Sequence, residues 1–212
     1  MLRYIHGHDL HHHPQLARAM FRDRADQFRT RLGWEVEVDE QGEERDQYDA
    51  LDPLYVIWQE PDGSHGGSMR FLPTTGRTMV NEIFGHLTGG APIASPLIWE
   101  CTRFCLARGA GSHVAAALML GGGEIMQDFG IRHFVGVFDA RMVRIYRMIG
   151  ASPQVLGSEG AGRDRISVGL WDFSAQAQAR VAARAGIPPQ LSRAWFEAAF
   201  GPAPSAHARR SA

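Results

Sequence analysis

Apolar positions along the chain recur with two different periods, and each period predicts one kind of secondary structure. Short apolar runs, some of them alternating with polar positions, predict strands. The predicted strands are Leu2–His6, Leu54–Gln59, Ser68–Leu72, Leu97–Leu106, His133–Phe138 and Ile166–Asp172. Recurrence every three to four residues predicts a helix that begins at Pro14 and further helices at Val114–Phe129, Ala140–Ile149, Ala175–Ala185 and Leu191–Phe200. This order predicts one mixed α/β sheet with helices on both faces.

A glycine-containing turn joins the strand Leu97–Leu106 to the helix Val114–Phe129. Its residues of interest are Arg108, Gly109, Gly111 and Ser112. Free N–H groups and the helix dipole both favour an anion at the start of a helix, so this turn is a candidate phosphate cradle. A single Gly-x-Gly is weak evidence, and an ordinary strand-to-helix turn is the other interpretation.

The composition is that of a globular protein. The chain has 212 residues, of which 44 % are apolar and 21 % charged, and its formal net charge is −1. We expect one domain over residues 1–200 and a disordered tail over 201–212. No apolar run approaches the ~18–20 residues that cross a bilayer, and the N-terminus lacks the apolar segment of a secretory signal. We therefore expect a cytoplasmic protein with no membrane span.

All 22 basic residues are arginines, and the chain contains no lysine. This excludes a Walker-type phosphate loop, a pyridoxal Schiff base and a lysine nucleophile. Any bound anion must therefore meet guanidinium groups or backbone N–H groups. The near-neutral net charge argues against nucleic acid as a partner.

Neither the cysteines nor the histidines form a recognisable metal motif. Cys101 and Cys105 cannot supply a four-ligand zinc site by themselves, and they indicate no disulfide framework. Five histidines lie near the N-terminus: His6, His8, His11, His12 and His13. Their spacing matches no ligand motif, so a solvated segment is favoured over a metal site. We expect no bound metal.

Several charged residues fall in or beside apolar elements, and each has two interpretations. Arg24 interrupts the apolar i+4 series of the first helix, so it either reaches solvent at the helix edge or enters a polar pocket. Asp46 and Asp49 are typical of a solvated acidic loop, although they directly precede a strand. Arg70, in the middle of a strand, can face either solvent or a site.

Glu100 and Arg103 lie in the same predicted strand, Leu97–Leu106. The alternation of a regular strand would place their side chains on opposite faces. They can contribute to one site only if the strand bulges between them, a feature that is common beside active sites.

Four blocks of residues in order resemble the acyl-homoserine-lactone synthases, the LuxI-type autoinducer synthases. The blocks are Arg24-x3-Phe28-x5-Trp34, Glu43-x2-Asp46-Gln47-Tyr48-Asp49, Met69-Arg70-Phe71-Leu72-Pro73-Thr74-Thr75 and Glu100-x2-Arg103-Phe104. The resemblance covers roughly residues 1–175. It implies the fold of the GCN5-related N-acetyltransferases, a three-layer αβα sandwich whose mixed central sheet opens into a V-shaped cleft at a bulged strand.

The resemblance also implies the reaction. An acyl chain passes from an acyl carrier protein, or from acyl-CoA, to the amine of S-adenosylmethionine. The product then closes to a lactone, a quorum-sensing signal, and methylthioadenosine is released. S-adenosylmethionine is a substrate in this chemistry, so no cofactor is expected.

Candidate site residues follow from the resemblance together with the glycine turn and the arginine spacing. Glu100 and Arg103 are the expected catalytic residues, with Glu100 expected to take the amine proton, directly or through a water. The residues expected to bind S-adenosylmethionine are Arg24, Phe28, Trp34, Asp46, Asp49, Arg70, Phe84 and Phe104. Those expected to bind the acyl-pantetheine arm are Arg108, Gly109, Gly111, Ser112 and Phe138. Carrier-protein docking is expected at Arg141, Arg144 and Arg147, whose spacing forms a stripe on one helix.

Two other functions compete with this one. An acyl-CoA-dependent N-acyltransferase acting on another amine would keep the glycine turn but would not need Arg24, Asp46, Asp49 and Arg70 together. A non-catalytic arginine-rich binding module is disfavoured by the net charge of −1. Catalysis by Cys101 or Cys105 lacks a matching His/Asn pattern.

The resemblance bears on the acyl chain as well. Several family members that prefer 3-oxo acyl chains carry a threonine on the strand that corresponds to His133–Phe138, and this strand has none. We therefore expect an unsubstituted or 3-hydroxy acyl chain.

Overall fold

The computed structural model describes residues 1–202, so the predicted tail lies outside the described residues from position 203 onward. The strands are β1 (Leu2–His6), β2 (Leu54–Gln59), β3 (His65–Pro73), β4 (Ile98–Leu106), β5 (His133–Asp139), β6 (Gln154–Glu159) and β7 (Ile166–Asp172). The helices are α1 (Pro14–Ala25), α2 (Met79–Glu82), α3 (Val114–Phe129), α4 (Ala140–Ile149), α5 (Ala175–Ala185) and α6 (Pro189–Phe200). A π-helical turn, Asp26–Arg31, extends α1. No helix within residues 1–202 is long and apolar enough to cross a membrane.

The strands form one mixed sheet in the order β1-β2-β3-β4-β5-β7-β6. Only β4 and β5 run parallel, because α3 crosses between them; the other neighbouring pairs are antiparallel. The main core packs α3, α5 and α6 against one face of the sheet. A second cluster packs α1 against the opposite face through Ile5, Tyr55 and Ile57. This arrangement confirms the predicted three-layer αβα sandwich.

The sheet splits between its two parallel strands. Pairing of β4 with β5 is confined to Ile98–Glu100 opposite His133–Val135, although both strands continue beyond these residues. From Cys101 onward β4 pairs only with β3. The divergence forms the V-shaped cleft that the resemblance implies.

The strand β4 bulges inside this cleft, as it must if Glu100 and Arg103 are to contribute to one site. In the pairing with β3, Arg70 lies opposite Thr102 and Ser68 lies opposite Cys105, so β4 contains one extra residue. Arg103 adopts the left-handed backbone conformation, with φ of 53°. Such a conformation is unfavourable for a residue with a Cβ, so side-chain contacts must hold it in place.

Two elements were not predicted from the sequence. The edge strand β6 has five of its six residues exposed and only two adjacent apolar positions, so it carries no alternating pattern. The helix α2 spans four residues, less than two turns of apolar periodicity.

Gly136 marks the apex of the cleft and provides a test of it. A Cβ at this position would lie 2.7 Å from the Cys101 carbonyl oxygen, a backbone atom that cannot move cheaply. We expect Gly136→Ala to lower the free energy of unfolding by about 1–3 kcal/mol in denaturant titrations. The matched control is Gly76→Ala, whose Cβ would make an ordinary 3.8 Å contact and should cost less than about 0.5 kcal/mol. Equal stability of the two variants would contradict this packing.

Candidate active site

Three arginines and three carboxylates form a closed ring of alternating charges, which we call the charge ring. Its members are Arg24 from α1, Arg70 from β3, Arg103 from β4, and Glu44, Asp46 and Asp49 from the acidic segment, residues 43–52. Each guanidinium contacts two of the carboxylates, and each carboxylate contacts two of the guanidinium groups. Because the charges are equal in number, every buried charge is compensated inside the ring.

The buried guanidinium of Arg24 contacts two of the ring carboxylates, Asp49 and Glu44. The guanidinium donates Nη1 and Nη2 to the two carboxylate oxygens of Asp49 at 2.9 and 2.8 Å, and its Nε donates to Glu44 at 2.6 Å. Burial would lower the pKa of Arg24, but Asp49 and Glu44 outweigh it and raise that pKa. Burial would raise the pKa of Asp49, but Arg24 and Arg70 hold it well below its usual value. Both side chains are therefore charged at neutral pH. The polar-pocket interpretation of Arg24 is confirmed.

Arg70 connects the ring to the bulged strand. Its Nη2 donates to Asp46 at 2.9 Å, and its Nη1 lies 2.8 Å from an Asp49 oxygen. Its Nε donates to the Thr102 hydroxyl at 3.0 Å. The side chain is fully buried, so Arg70 organises the acidic residues and does not face solvent.

Arg103 and Asp46 are the most exposed ring members, each with 12 % of its side chain exposed, and of the six only Arg103 lines the cavity described below. Arg103 donates Nε and Nη2 to Glu44 at 3.1 and 2.8 Å, and Nη2 lies 2.7 Å from Asp46. These contacts anchor the residue whose backbone is left-handed. The charge ring therefore holds the bulge of β4 in place.

Glu44 belongs to the ring but was not among the predicted site residues. It is fully buried and bridges Arg24 and Arg103, whereas its neighbour Glu43 pairs with the exposed Arg45. An extended chain places residues i and i+2 on the same side, so the spacing of Glu44 and Asp46 was a signal that could have identified it.

Glu100 lies behind the ring, beneath the short helix α2. It is fully buried, and its two carboxylate oxygens accept the Met79 N–H at 3.1 Å and the Val80 N–H at 2.6 Å. Burial raises the pKa of Glu100 to about 7, against the opposing effects of these N–H groups and of Arg70. A carboxyl group with this pKa can exchange a proton near neutral pH.

A cavity of about 460 Å³ opens beside Arg103. Its wall includes Phe28, Trp34, Phe84 and Phe104. The rings of Phe28 and Trp34 are stacked with centroids 5.3 Å apart, and the Arg103 guanidinium lies 5.4 Å from the Phe28 ring. This wall can hold a flat, cationic ligand through stacking and cation–π contacts. Among the residues that the structure describes, five of the predicted site residues do not line this cavity. They are Arg24, Asp46, Asp49, Arg70 and Glu100.

A second, narrower cavity of about 90 Å³ lies on the other face of the split sheet. Its wall is mostly apolar, with Phe71, Phe134 and Met126 among its lining residues. A Cβ at Gly122 would lie 3.3 Å from the Phe134 ring, so this glycine leaves room for the cavity. The two cavities share five lining residues at the split: Thr102, Arg103, Phe104, Val137 and Tyr146.

The glycine turn lies apart from both cavities. Arg108, Gly109, Gly111 and Ser112 are exposed, and Arg108 pairs with Asp26 at 2.9 Å. Phe138, predicted with the acyl-binding residues, lines the larger cavity and not the narrow one. Its side chain packs edge-on against Tyr146 and Trp171, two residues that do line the narrow cavity.

The predicted arginine stripe lies on one exposed face of α4. Arg141, Arg144 and Arg147 are all exposed, and Arg141 also borders the larger cavity. A cationic face therefore adjoins the entrance to the site.

Neither cysteine is suited to nucleophilic catalysis. Burial raises the pKa of the Cys101 thiol and of the Cys105 thiol far above their ordinary value, so both stay protonated. Within residues 1–202 no group of three or more His, Cys, Asp or Glu side chains is arranged to hold a metal ion.

Comparisons with known proteins bear on the family and the fold. A family model described as autoinducer synthase matches residues 7–181. An acyl-homoserine-lactone synthase of Rhizobium etli is 46% identical over 163 residues, 74% of this chain and 76% of that protein. BjaI, a CoA-dependent acyl-homoserine lactone synthase solved with SAM and isopentyl-CoA, has a TM-score of 0.77 at 26% identity, covering 89% of this chain and 90% of that one. The AHL synthase LasI has a TM-score of 0.75 at 27% identity, covering 86% and 94%.

The charge ring predicts a specific pH dependence of stability. Asp49→Asn leaves Arg24 buried with one carboxylate fewer, so we expect the free energy of unfolding at pH 7 to fall by about 3–5 kcal/mol. The folded-state pKa of Asp49 is depressed, so its contribution is present above the unfolded value of 3.8 and is lost as the pH falls below it. The difference between wild type and variant should therefore shrink below about pH 4 in denaturant titrations.

The control for this prediction is Asp164→Asn, at an exposed position. It should change stability by less than about 0.5 kcal/mol at every pH. A constant difference between wild type and Asp49→Asn down to acidic pH would contradict the charged state of Asp49.

Proposed function

The chain belongs to the autoinducer synthase family, the acyl-homoserine-lactone synthases, and from this premise we propose how its two cavities divide the substrates. S-adenosylmethionine occupies the larger cavity, and the acyl chain of a thioester occupies the narrower one. The observation that carries this assignment is their shared wall at the bulge of β4. An amine in one cavity and a thioester carbonyl in the other would meet there.

The larger cavity suits S-adenosylmethionine in three ways. Arg103 borders it and can bind the substrate carboxylate with a charge-assisted hydrogen bond. Phe28 and Trp34 can stack on adenine, and Phe84 and Phe104 can pack against the sulfonium. Behind the wall, Asp46 contacts Arg103 and holds it in position. Asp49, Arg24 and Arg70 support this contact through the other ion pairs of the charge ring.

Acyl transfer needs a base and a site for the oxyanion. Glu100 takes the proton of the substrate ammonium through a water, because the α2 residue Met79 lies between its carboxylate and the cavity. The free amine then attacks the thioester carbonyl, the amide bond forms, and the C–S bond breaks to release the thiol. Arg103 and Phe104 have no residue opposite them in β3 or β5, so their backbone N–H groups are candidates to stabilise the oxyanion.

Lactone formation follows in the same cavity. The carboxylate of the acylated substrate attacks the methylene carbon bonded to sulfur, and methylthioadenosine leaves. No further acid or base is required, because a sulfonium is already a good leaving group.

The acyl donor is a phosphopantetheine thioester, either acyl-CoA or an acyl carrier protein. The similarity to BjaI, which was solved with isopentyl-CoA, supports acyl-CoA. The exposed arginines Arg141, Arg144 and Arg147 suit both CoA phosphates and an acidic carrier protein. Arg108 and the turn Gly109, Gly111 and Ser112, just before α3, are candidates for the pantetheine arm.

We propose the cytoplasm as the site of this reaction. Both cysteines are free thiols, which is typical of a reducing compartment.

Mass spectrometry of the product tests the proposed reaction. Purified protein with S-adenosylmethionine and either acyl-CoA or acyl carrier protein thioesters should yield acyl-homoserine lactones with an unsubstituted or 3-hydroxy chain. Comparing kcat/KM between the two donor classes identifies the donor. A profile dominated by 3-oxo products would contradict the acyl-chain expectation. Acylation of a different amine, without lactone, would contradict the function and support a general N-acyltransferase.

The role of Glu100 predicts the pH dependence of acyl transfer. Only the carboxylate form accepts a proton, so kcat should rise with pH through about 7, the pKa of Glu100. Glu100→Gln should lower kcat by about 10²–10⁴-fold and remove this rise. A matched control is Glu124→Gln, another glutamate whose pKa is raised by burial but which does not line either cavity. Wild-type rates for Glu100→Gln across the pH range would exclude Glu100 as the base.

A further inference from the structure

The short helix α2 covers the Glu100 carboxylate, and its position depends on contacts at both of its ends. At its start, the Met79 and Val80 N–H groups donate to Glu100. At its end, Glu82 accepts a hydrogen bond from the Tyr48 hydroxyl at 2.9 Å. A helix of four residues has little stability of its own, so such contacts decide where it lies.

Tyr48 belongs to the acidic segment and is anchored in the charge ring. Its ring is 1 % exposed and lies beside the Arg70 guanidinium, 5.6 Å from the ring centroid. Its backbone N–H donates to Asp46 at 2.9 Å. Burial and the hydrogen bond to Glu82 raise the pKa of Tyr48 to about 12, so its hydroxyl remains a proton donor at neutral pH. A continuous path of contacts therefore runs from the charge ring through Tyr48 and Glu82 to α2.

We propose that Tyr48 and Glu82 are positioning residues that hold α2 against the charge ring and thereby keep the Met79 and Val80 N–H groups on the Glu100 carboxylate. Neither residue lines the cavities among the described residues, so neither is placed to touch substrate. They act through the backbone of α2. The assignment of Glu100 as base rests on the proposed function, whereas the positioning of α2 does not.

The physical consequence is a change in the proton affinity of Glu100. An N–H group that donates to a carboxylate stabilises the charged form, so loss of these bonds raises the pKa of the carboxyl group. The other groups that face Glu100 are Arg70 from β3 and Asp46 and Tyr48 from the acidic segment. Its partner on β5, Val135, is apolar. Arg70 and Asp46 are unchanged in the variants below.

Two substitutions test the proposal, one without and one with a change of charge. Tyr48→Phe removes the hydroxyl and changes no charge. Glu82→Ala removes the carboxylate that accepts hydrogen bonds from Tyr48 and Arg77. Loss of this negative charge by itself would lower the pKa of Glu100, whereas release of α2 would raise it. The direction of the shift in Glu82→Ala therefore separates positioning from simple electrostatics.

The measurement is a carbon NMR titration of the glutamate carboxyl groups in the full-length protein, with the Glu100 signal assigned by its loss in Glu100→Gln. We expect the midpoint of Glu100 to rise by about one pH unit in both variants. The matched control is Glu159→Gln. Glu159 lies on β6, and its carboxylate makes an exposed contact with His86, a residue of the β3–β4 connection that also contains α2. This substitution should leave the midpoint unchanged.

Two results would overturn the proposal: an unchanged midpoint in Tyr48→Phe, or a lower midpoint in Glu82→Ala. The pH profile of kcat, measured on the same variants, tests the catalytic role separately. A shifted profile in step with the NMR midpoint supports both proposals. If the midpoint moves while the profile does not, α2 positioning stands and Glu100 is not the base.

Discussion

The charge ring is the interaction on which the rest of the site depends. It joins four parts of the chain, and the partners in its contacts are separated by 20 residues between Arg24 and Glu44 and by 59 between Glu44 and Arg103. Removing one member of a buried ion pair leaves its partner uncompensated, at a cost of about 3–5 kcal/mol. The ring is therefore stable only when it is complete, which makes the site one cooperative unit.

The ring also explains why the sheet can open at its centre. A left-handed conformation costs about 1–2 kcal/mol for a residue such as Arg103, and the contacts of its guanidinium with Glu44 and Asp46 offset that cost. The bulge leaves the backbone of Arg103 and Phe104 without strand partners, and β4 has already separated from β5 at Cys101, just before the bulge. The stability of the fold and the shape of the site therefore depend on the same residues, because the ion pairs that hold the fold also shape the junction of the two cavities.

Much of the fold could be predicted from local pattern, but the site could be predicted only in part. Strong apolar periods identified α3 and β4, and the conflict between Glu100 and Arg103 in one strand indicated the bulge. The exposed strand β6 and the short helix α2 escaped prediction because neither has an apolar face of its own. Glu44 was missed because its neighbour Glu43 has the same charge, and only their partners in the folded chain distinguish them: Glu44 pairs with Arg24 and Arg103, and Glu43 pairs with Arg45. Phe138 lines the larger cavity and not the narrow one, a placement that depends on how neighbouring aromatic rings pack and that a sequence does not specify.

The sequence by itself determined the type and order of most elements and the set of charges that the fold must bury. These properties depend on spacing within one element, where the backbone geometry is regular. Only the tertiary structure decided which charges pair, which residue reaches the cavity and which lie behind it. It also decided that α2 covers Glu100. The hydrogen bond from the Val80 N–H to the Glu100 carboxylate joins residues 20 positions apart, and the chain between them has no repeating apolar pattern from which the contact could be predicted. Burial and long-range pairing, which set the proton affinity of Glu100 and the charge of Asp49, exist only in the folded chain.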